Sequence, residues 1–297
     1  MATSRPDKAF DNIINFRDLG AFVSRTTGRE ILKPGLLFRS ARPDAASPSD
    51  RHRLISEYKI KTVIDLRTET ERIEARRKFA SRVPSAPAVT PSDPTSPLKI
   101  PGITYREIDF NGSAYTNALL EKLTYYQTAQ LYALYILGYR KEAISILGSN
   151  VLAKRGLIGL AEDSLKHCTA QVLAVFNILC DQESYPVLVH CTQGKDRTGL
   201  IILLVLMLCE VPLEVIEQDY LLSERELERE KEEKVKEIRS IGLPDSFAEC
   251  HADWVKKVRS CVDDKYGGVE VYLEGCGLSA SALRKLRAFL TAASEAK

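Results

Sequence analysis

Apolar positions along the chain follow two different rhythms. In the first third they form short clusters between polar turns. Residues 35–38 make a brief strand candidate, and 61–66 (KTVIDL) a stronger one, since Thr62, Val63 and Ile64 are β-branched together. Thr68 and Glu71 then have the spacing of a capping box, which predicts a helix running to about Arg82. Residues 103–110 (ITYREIDF) alternate again and predict another strand. Between these elements, 84–101 carries six of the thirteen prolines and reads as a surface insertion.

From residue 115 the period becomes helical. Leu119, Leu120, Leu123, Ala129, Leu131, Leu134, Tyr135 and Ile136 predict helices that pair with 143–152, and 165–179 repeats the period. A buried strand at 187–189 follows, then a polar loop, a helix over 200–209 and another over 213–222. Residues 223–240 hold seven Glu against six Lys or Arg and read as a solvated helix face, with Glu230–Lys234 and Glu232–Lys236 as i,i+4 pairs. Three short helices end the chain, broken at Gly267-Gly268 and at 275–277. Strand–helix alternation of this kind predicts an α/β fold, a central mostly parallel sheet of four or five strands flanked by helices. The whole of 1–297 reads as one domain.

Composition narrows the function. With 42 basic and 40 acidic side chains the net charge is +2, so no global basic field exists to bind nucleic acid. One Trp and four His leave little material for an aromatic cage or a multi-histidine metal site. No cofactor and no metal are expected. The longest apolar run, 200–209, is too short to cross a bilayer, so no transmembrane segment is predicted, and the first residues lack the apolar core of an export signal. Seven scattered cysteines without a CxxC pair predict reduced thiols and a cytoplasmic location. Oligomeric state is not legible in the pattern.

The chemistry concentrates in 190–199, His190-Cys191-Thr192-Gln193-Gly194-Lys195-Asp196-Arg197-Thr198-Gly199. A buried strand delivers a cysteine into a tight loop, and a helix begins directly after it. Backbone N–H groups and the positive end of the helix dipole converge there, which makes a tetrahedral oxyanion site. Residues 192–197 are the predicted phosphate loop. Gly194 permits close backbone approach, and Arg197 offers a planar fork for two phosphate oxygens. The same field is expected to favour the thiolate of Cys191, the nucleophilic form and the one open to reversible peroxide oxidation. In-line attack would then give a phospho-cysteine, its developing charge met by Arg197 and the loop amides. A nucleotide-binding P-loop is excluded, because Asp196 follows Gly194-Lys195 and no glycine occupies the required upstream position.

Cys-x5-Arg-Thr, preceded by His190 and followed by Gly199, resembles the signature of cysteine-dependent phosphatases. With Lys195-Asp196 inside the loop, the form HCxxGKDRTG resembles one subgroup, the bacterial and fungal tyrosine/serine protein phosphatase family. Asn15-Phe16-Arg17-Asp18-Leu19-Gly20 resembles that family's opening motif, with Ala21 in place of a final glycine. Phe38-Arg39-Ser40, Asp65-Leu66-Arg67 and the segment from Tyr266 to Arg287 are similar to further segments of it. The resemblance implies a cysteine-dependent phosphatase fold with a helical lid, here 115–160, inserted before the signature segment 187–209. It implies phosphorylated protein substrates, with phosphoinositides as the alternative and a non-catalytic phosphate-binding module as a third reading.

Roles around the loop remain open at this point. The resembled family attributes leaving-group protonation to the loop aspartate, here Asp196. The competing reading makes Asp196 an ion-pair partner of Arg17 or Arg67, with Asp65 or Asp109 as the acid. Thr198 either hydrogen-bonds the Cys191 sulfur or caps the helix. His190 either orients the loop or is a satisfied core histidine. Lys195 either serves substrates carrying several phosphates, as loop lysines do in phosphoinositide phosphatases, or merely faces solvent. Arg76, Arg77 and Lys78 form a basic cluster that faces either lipid headgroups or water. Cys168, Cys180 and Cys209 are candidate resolving thiols.

Overall fold

The computed structural model describes residues 9–82 and 98–292. Most of the predicted 84–101 insertion therefore lies outside the described residues. At its end, Leu98 and Ile100 are buried in the core and not at the surface.

Five strands form one sheet: β1 (Arg17–Asp18), β2 (Leu37–Ser40), β3 (Thr62–Asp65), β4 (Thr104–Glu107) and β5 (Val187–His190). Their order is β1-β2-β5-β3-β4, with β1 antiparallel to β2 and every other pairing parallel. The signature strand β5 is thus central. His190 is in register with Ser40 on one side and Asp65 on the other. Successive side chains point to opposite faces, and the burial follows that period. Phe38, Val63 and Leu188 pack on one face with Phe10, Leu54 and Ile103, while Leu37, Ile64, Val187 and Val189 join the larger core on the other.

The larger core is built around the helix Asp196–Leu208, in which every residue from Leu200 to Leu206 is buried. Such an element has no solvated stripe, so its sequence reads as a continuous apolar run rather than an amphipathic one. The helix begins at Asp196, one turn before the predicted start, so its first turn takes in residues read from sequence as loop. The capping box is present as predicted: the Thr68 amide donates to Glu71 at 2.8 Å and the Glu71 amide to Thr68 Oγ1 at 3.2 Å, opening the helix Glu69–Arg82. Three helices close the chain, Trp254–Tyr266, Val269–Gly275 and Ala280–Leu290.

The region 115–160 is helical, in pieces: Ser113–Leu120, Tyr125–Ile136, Arg140–Leu147, a π-turn Gly148–Leu152, and the start of Ala153–His167. The last three follow one another over Arg140–His167, where one 18-residue window reaches a mean hydropathy of 1.2, but Gly156 (φ 62°, ψ 175°) breaks the helix inside it. No apolar run of that length is visible in sequence, because the charged residues are spread along it. The charge run 223–240 is also not one helix. It breaks at Leu227, which is buried, into Leu213–Glu226 and Lys231–Ser240. The expected i,i+4 pairing gives way to other partners, Glu230 with Arg42 at 2.8 Å and Lys234 with Glu237 at 3.1 Å.

Because the helix Asp196–Leu208 is enclosed on all sides, truncation inside it leaves a cavity that cannot collapse. Leu204→Ala is expected to lower unfolding free energy by ~2–5 kcal/mol, read from the urea midpoint.

Candidate active site

Cys191 directly follows β5, at the carboxyl end of the central parallel strand, where open α/β sheets place their ligand sites. The turns after β2 and β3 flank it and bring Arg42, Arg67 and Glu71 to the loop. Cys191 is buried, and its sulfur accepts the Gly194 N–H at 3.2 Å.

The loop's carbonyl groups are all turned outward and held. His190 Nδ1 lies 3.1 Å from the Cys191 carbonyl oxygen, so Nδ1 carries the ring proton. The Arg42 amide and Nη1 donate to the Thr192 carbonyl at 3.1 and 3.2 Å. Asn15 Nδ2 donates to Gln193 at 2.9 Å and to Gly194 at 3.2 Å, and Arg39 Nη2 donates to Gly194 at 2.5 Å. Among the described residues, the N–H groups of Thr192, Gln193, Lys195, Asp196 and Arg197 donate to no protein acceptor. Those amides are what an oxyanion would meet. Gly194 has φ 66°, and a Cβ there would overlap the Ser40 carbonyl, so the loop accepts no other residue at this position.

Asn15 and Arg39 are themselves fixed by a buried charge cluster. Arg17 Nε donates to Asp219 Oδ1 at 2.6 Å, Arg39 Nη1 donates to Asp219 Oδ2, and Arg17 Nη1 donates to Asn15 Oδ1 at 2.5 Å. Burial works against the charge on Asp219, yet Arg17 and Arg39 overcome it and hold the carboxyl below the ordinary aspartate range. Burial pulls Arg17 down to about 10 against the attraction of Asp219.

Arg197 is clamped by Glu71: Nη1 and Nη2 donate to its two oxygens at 2.6 Å each, and Nη1 also donates to the Leu66 carbonyl at 3.1 Å. The Thr192 hydroxyl donates to Glu71 Oε1 at 2.5 Å. Burial raises the Glu71 carboxyl, but Arg197, then Thr192, hold it well below the ordinary glutamate range. Glu71 therefore has two jobs, helix cap and holder of the arginine. Only the first was visible as a local spacing.

Cys191, Thr192, Gln193, Asp196 and Arg197 meet at the floor of a cleft of about 240 Å³ walled by Tyr115, Leu152, Leu157, Phe247 and Trp254. Lys195 is not with them. It is fully buried, and its ammonium donates to the Phe247 and Glu249 carbonyls at 2.9 and 2.8 Å. The Lys195 side chain is thus neither a cation for a second phosphate nor solvent-facing, while its amide stays among those an oxyanion would meet. It ties the apolar wall carrying Phe247 to the loop. Thr198 also differs from expectation. Its buried hydroxyl makes no hydrogen bond among the described residues, and it sits inside the first helical turn, past the cap. The sulfur takes the Gly194 amide in its place.

Of the three candidate acids, Asp196 alone lines the cleft. The readings that paired it with Arg17 or Arg67 fail, since those arginines are taken by Asp219 and by Asp65 with Asp44. Lys195 Nζ is 3.8 Å from Asp196 Oδ1. Asp65 is buried and receives Arg67 Nε, Nη2 and backbone N–H. Burial raises its carboxyl, but His190 and Arg67 outweigh that and lower it, which suits a structural acceptor. Asp109 is exposed and outside the lining of the cleft. His190 is wholly buried. Burial lowers its pKa more than the Asp65 carboxylate raises it.

Burial pushes the thiols of Cys168 and Cys209 up to about 12 and that of Cys180 upward, so all three stay protonated. Lys78 lines a cleft beside the loop residues Thr192 and Gln193, together with Arg42, Arg67, Lys234 and five glutamates.

A profile described as the tyrosine phosphatase family matches residues 8–292. The chain belongs to that family. Among its relatives, the triple specificity protein phosphatase PtpB of Mycobacterium tuberculosis is 29% identical over 120 residues, 35% of this chain and 44% of that protein. A tyrosine-protein phosphatase of Nostoc commune is 28% identical over 163 residues, 49% of this chain and 55% of the other. The matches thus span about half the length of these two relatives. A candidate tyrosine-protein phosphatase of Cupriavidus necator is 25% identical over 275 residues, 91% of this chain and 83% of its own. The residues that carry the family's opening motif have physical duties here. Asn15 and Arg17 hold the loop, Asp18 caps the helix Leu19–Thr27 through the Ala21 amide at 3.1 Å, and Gly20 leaves room for the Lys33 backbone.

Removing the buried carboxylate between two arginines strands their charge. Asp219→Asn is expected to cost ~3–5 kcal/mol of stability near neutral pH. Because the folded carboxyl is depressed, its contribution is complete above the ordinary aspartate value of ~3.9 and is lost as pH falls through the folded value. Urea midpoints measured across this range are expected to decline for the wild type below about pH 4, and to decline less for Asp219→Asn.

Proposed function

We propose that the protein is a cysteine-dependent protein tyrosine phosphatase, hydrolysing phosphomonoesters through a phospho-cysteine intermediate. The observation that carries this reading is the meeting of the Cys191 sulfur, the Glu71-held Arg197 and a row of unengaged loop amides at the floor of an apolar cleft. The amides and Arg197 suit the three equatorial oxygens of a phosphoryl group. Tyr115, Leu157, Phe247 and Trp254 suit the aryl ring that carries it.

In the first step the Cys191 sulfur attacks phosphorus in line and the ester P–O bond breaks. The departing oxygen takes a proton from Asp196, the candidate acid that lines the cleft. In the second step water attacks phosphorus and gives its proton to the Asp196 carboxylate. The P–S bond breaks, returning the thiolate and inorganic phosphate. Arg197 and the amides hold the equatorial oxygens through both steps, and Glu71 keeps the guanidinium in plane with them. Phosphoserine and phosphothreonine peptides place less apolar surface in the cleft and are expected to react more slowly.

The phosphoinositide reading rested on Lys195 as an extra cation for a second phosphate. With its ammonium occupied by two backbone carbonyls, that support is gone. An intact nucleophile and arginine weigh against a purely binding module.

The wild type is expected to hydrolyse p-nitrophenyl phosphate and phosphotyrosine peptides with vanadate sensitivity, and Cys191→Ser to abolish turnover. Absence of turnover by the wild type at every pH tested overturns the reading. Asp196→Asn is expected to lose about 10²–10⁴-fold on leaving groups of high pKa and far less on p-nitrophenol. Asp65→Asn and Asp109→Asn are expected to lack that selectivity. Glu71→Gln, which lets Arg197 drift, is expected to lower kcat about 10²-fold.

A further inference from the structure

Away from the cleft, the hairpin of Tyr125–Ile136 and Arg140–Leu147 presents an unusual surface. Residues 123–139, seventeen in a row, contain no charged side chain and five tyrosines. The helix Tyr125–Ile136 buries none of its residues. Tyr125 is 98% exposed, Ile136 80% and Leu137 69%, and Tyr126, Tyr132, Tyr135 and Tyr139 are exposed beside them. A contiguous apolar patch of this kind marks an interaction surface.

Three observations favour lipid over a protein partner. First, the backbone of the turn is satisfied internally: the Leu137 amide donates to Ala133, Gly138 to Tyr135, Tyr139 to Leu134 and Arg140 to Gly138. Internal pairing of that kind is what hydrocarbon demands of a segment entering it, and what a wet protein interface does not. Second, tyrosine has an apolar ring and a polar tip, matching the boundary between acyl chains and headgroups. Third, Arg140 and Lys141 stand exposed at the end of the uncharged stretch, placed to meet lipid phosphates.

We propose that the hairpin docks the protein onto an anionic bilayer surface, with Tyr132, Ile136 and Leu137 entering the interface. Gln127 Nε2 donates to Asn150 Oδ1 at 2.8 Å, tying the hairpin to the turn whose Leu152 lines the cleft. Docking therefore holds the cleft near the membrane surface. The inference concerns where the protein sits and is independent of the reaction proposed above.

The test is co-sedimentation of the full chain with vesicles of phosphatidylcholine, alone and mixed with phosphatidylserine. Both lipids are phosphodiesters, so neither is a substrate for a phosphomonoesterase. Wild type is expected to pellet with the mixed vesicles and less with phosphatidylcholine alone. The double variant Ile136→Asp, Leu137→Asp is expected to lose about tenfold or more in partitioning, while keeping the urea midpoint and solution turnover of the wild type. Leu137→Phe is expected to retain binding. The proposal is overturned if wild type stays in the supernatant with both vesicles, or if the double variant pellets as well as wild type. It is equally overturned if vesicle binding is absent and light scattering shows a concentration-dependent dimer that the double variant abolishes, which would assign the patch to a second copy of the chain.

Discussion

Four consecutive carbonyl oxygens, from Cys191 to Gly194, are caught from outside the loop by His190, Arg42, Asn15 and Arg39. A peptide unit that turns its oxygen one way turns its N–H the other, so this outward capture is what leaves amides for the sulfur and for an anion. The rest of the molecule can be understood as the apparatus that sustains it. The sheet order sets β5 between β2 and β3, so the turns after those strands lie against both sides of the loop. The antiparallel β1 pairs Arg17 with Arg39, bringing the two arginines that share Asp219 to the back of the loop.

Burying two guanidinium groups and one carboxylate is not a cheap route to stability, since desolvation offsets much of their attraction. The value of the cluster lies in its directionality. A hydrophobic replacement could fill the same volume, but it could not hold the carbonyls of Gln193 and Gly194 in a single orientation. The Glu71–Arg197 pair works the same way on the opposite side, fixing a flexible side chain before any ligand arrives and so lowering the entropic cost of binding. Lys195 extends the same logic to the wall. By gripping the Phe247 and Glu249 carbonyls, it couples the shape of the apolar cleft to the conformation of the loop after β5.

Elements with strong local signals were legible in the residues alone. The β-branched run of β3, the Thr68–Glu71 capping box, the strand–loop–helix around Cys191 and the glycine breaks between the last helices all follow from neighbours in sequence. Features that depend on a distant partner were not. Glu71 looks like a helix cap until Arg197, 126 residues away, is brought to it. Lys195 looks like a loop cation until the chain at 247–249 folds over it. The charge run at 223–240 looks like one solvated helix until Leu227 finds the core and Arg42 takes Glu230.

The sequence by itself determined the local arrangement: a cysteine and an arginine with five residues between them at the start of a helix, because that spacing depends only on local backbone geometry. It also determined the alternation of strands and helices, through periods of two and 3.6 residues. Tertiary structure decided which carboxylate reaches the cleft, which lysine does not, and which residues hold the loop open. These are contacts between segments up to 202 residues apart, chosen by sheet order and burial, and no local pattern encodes them.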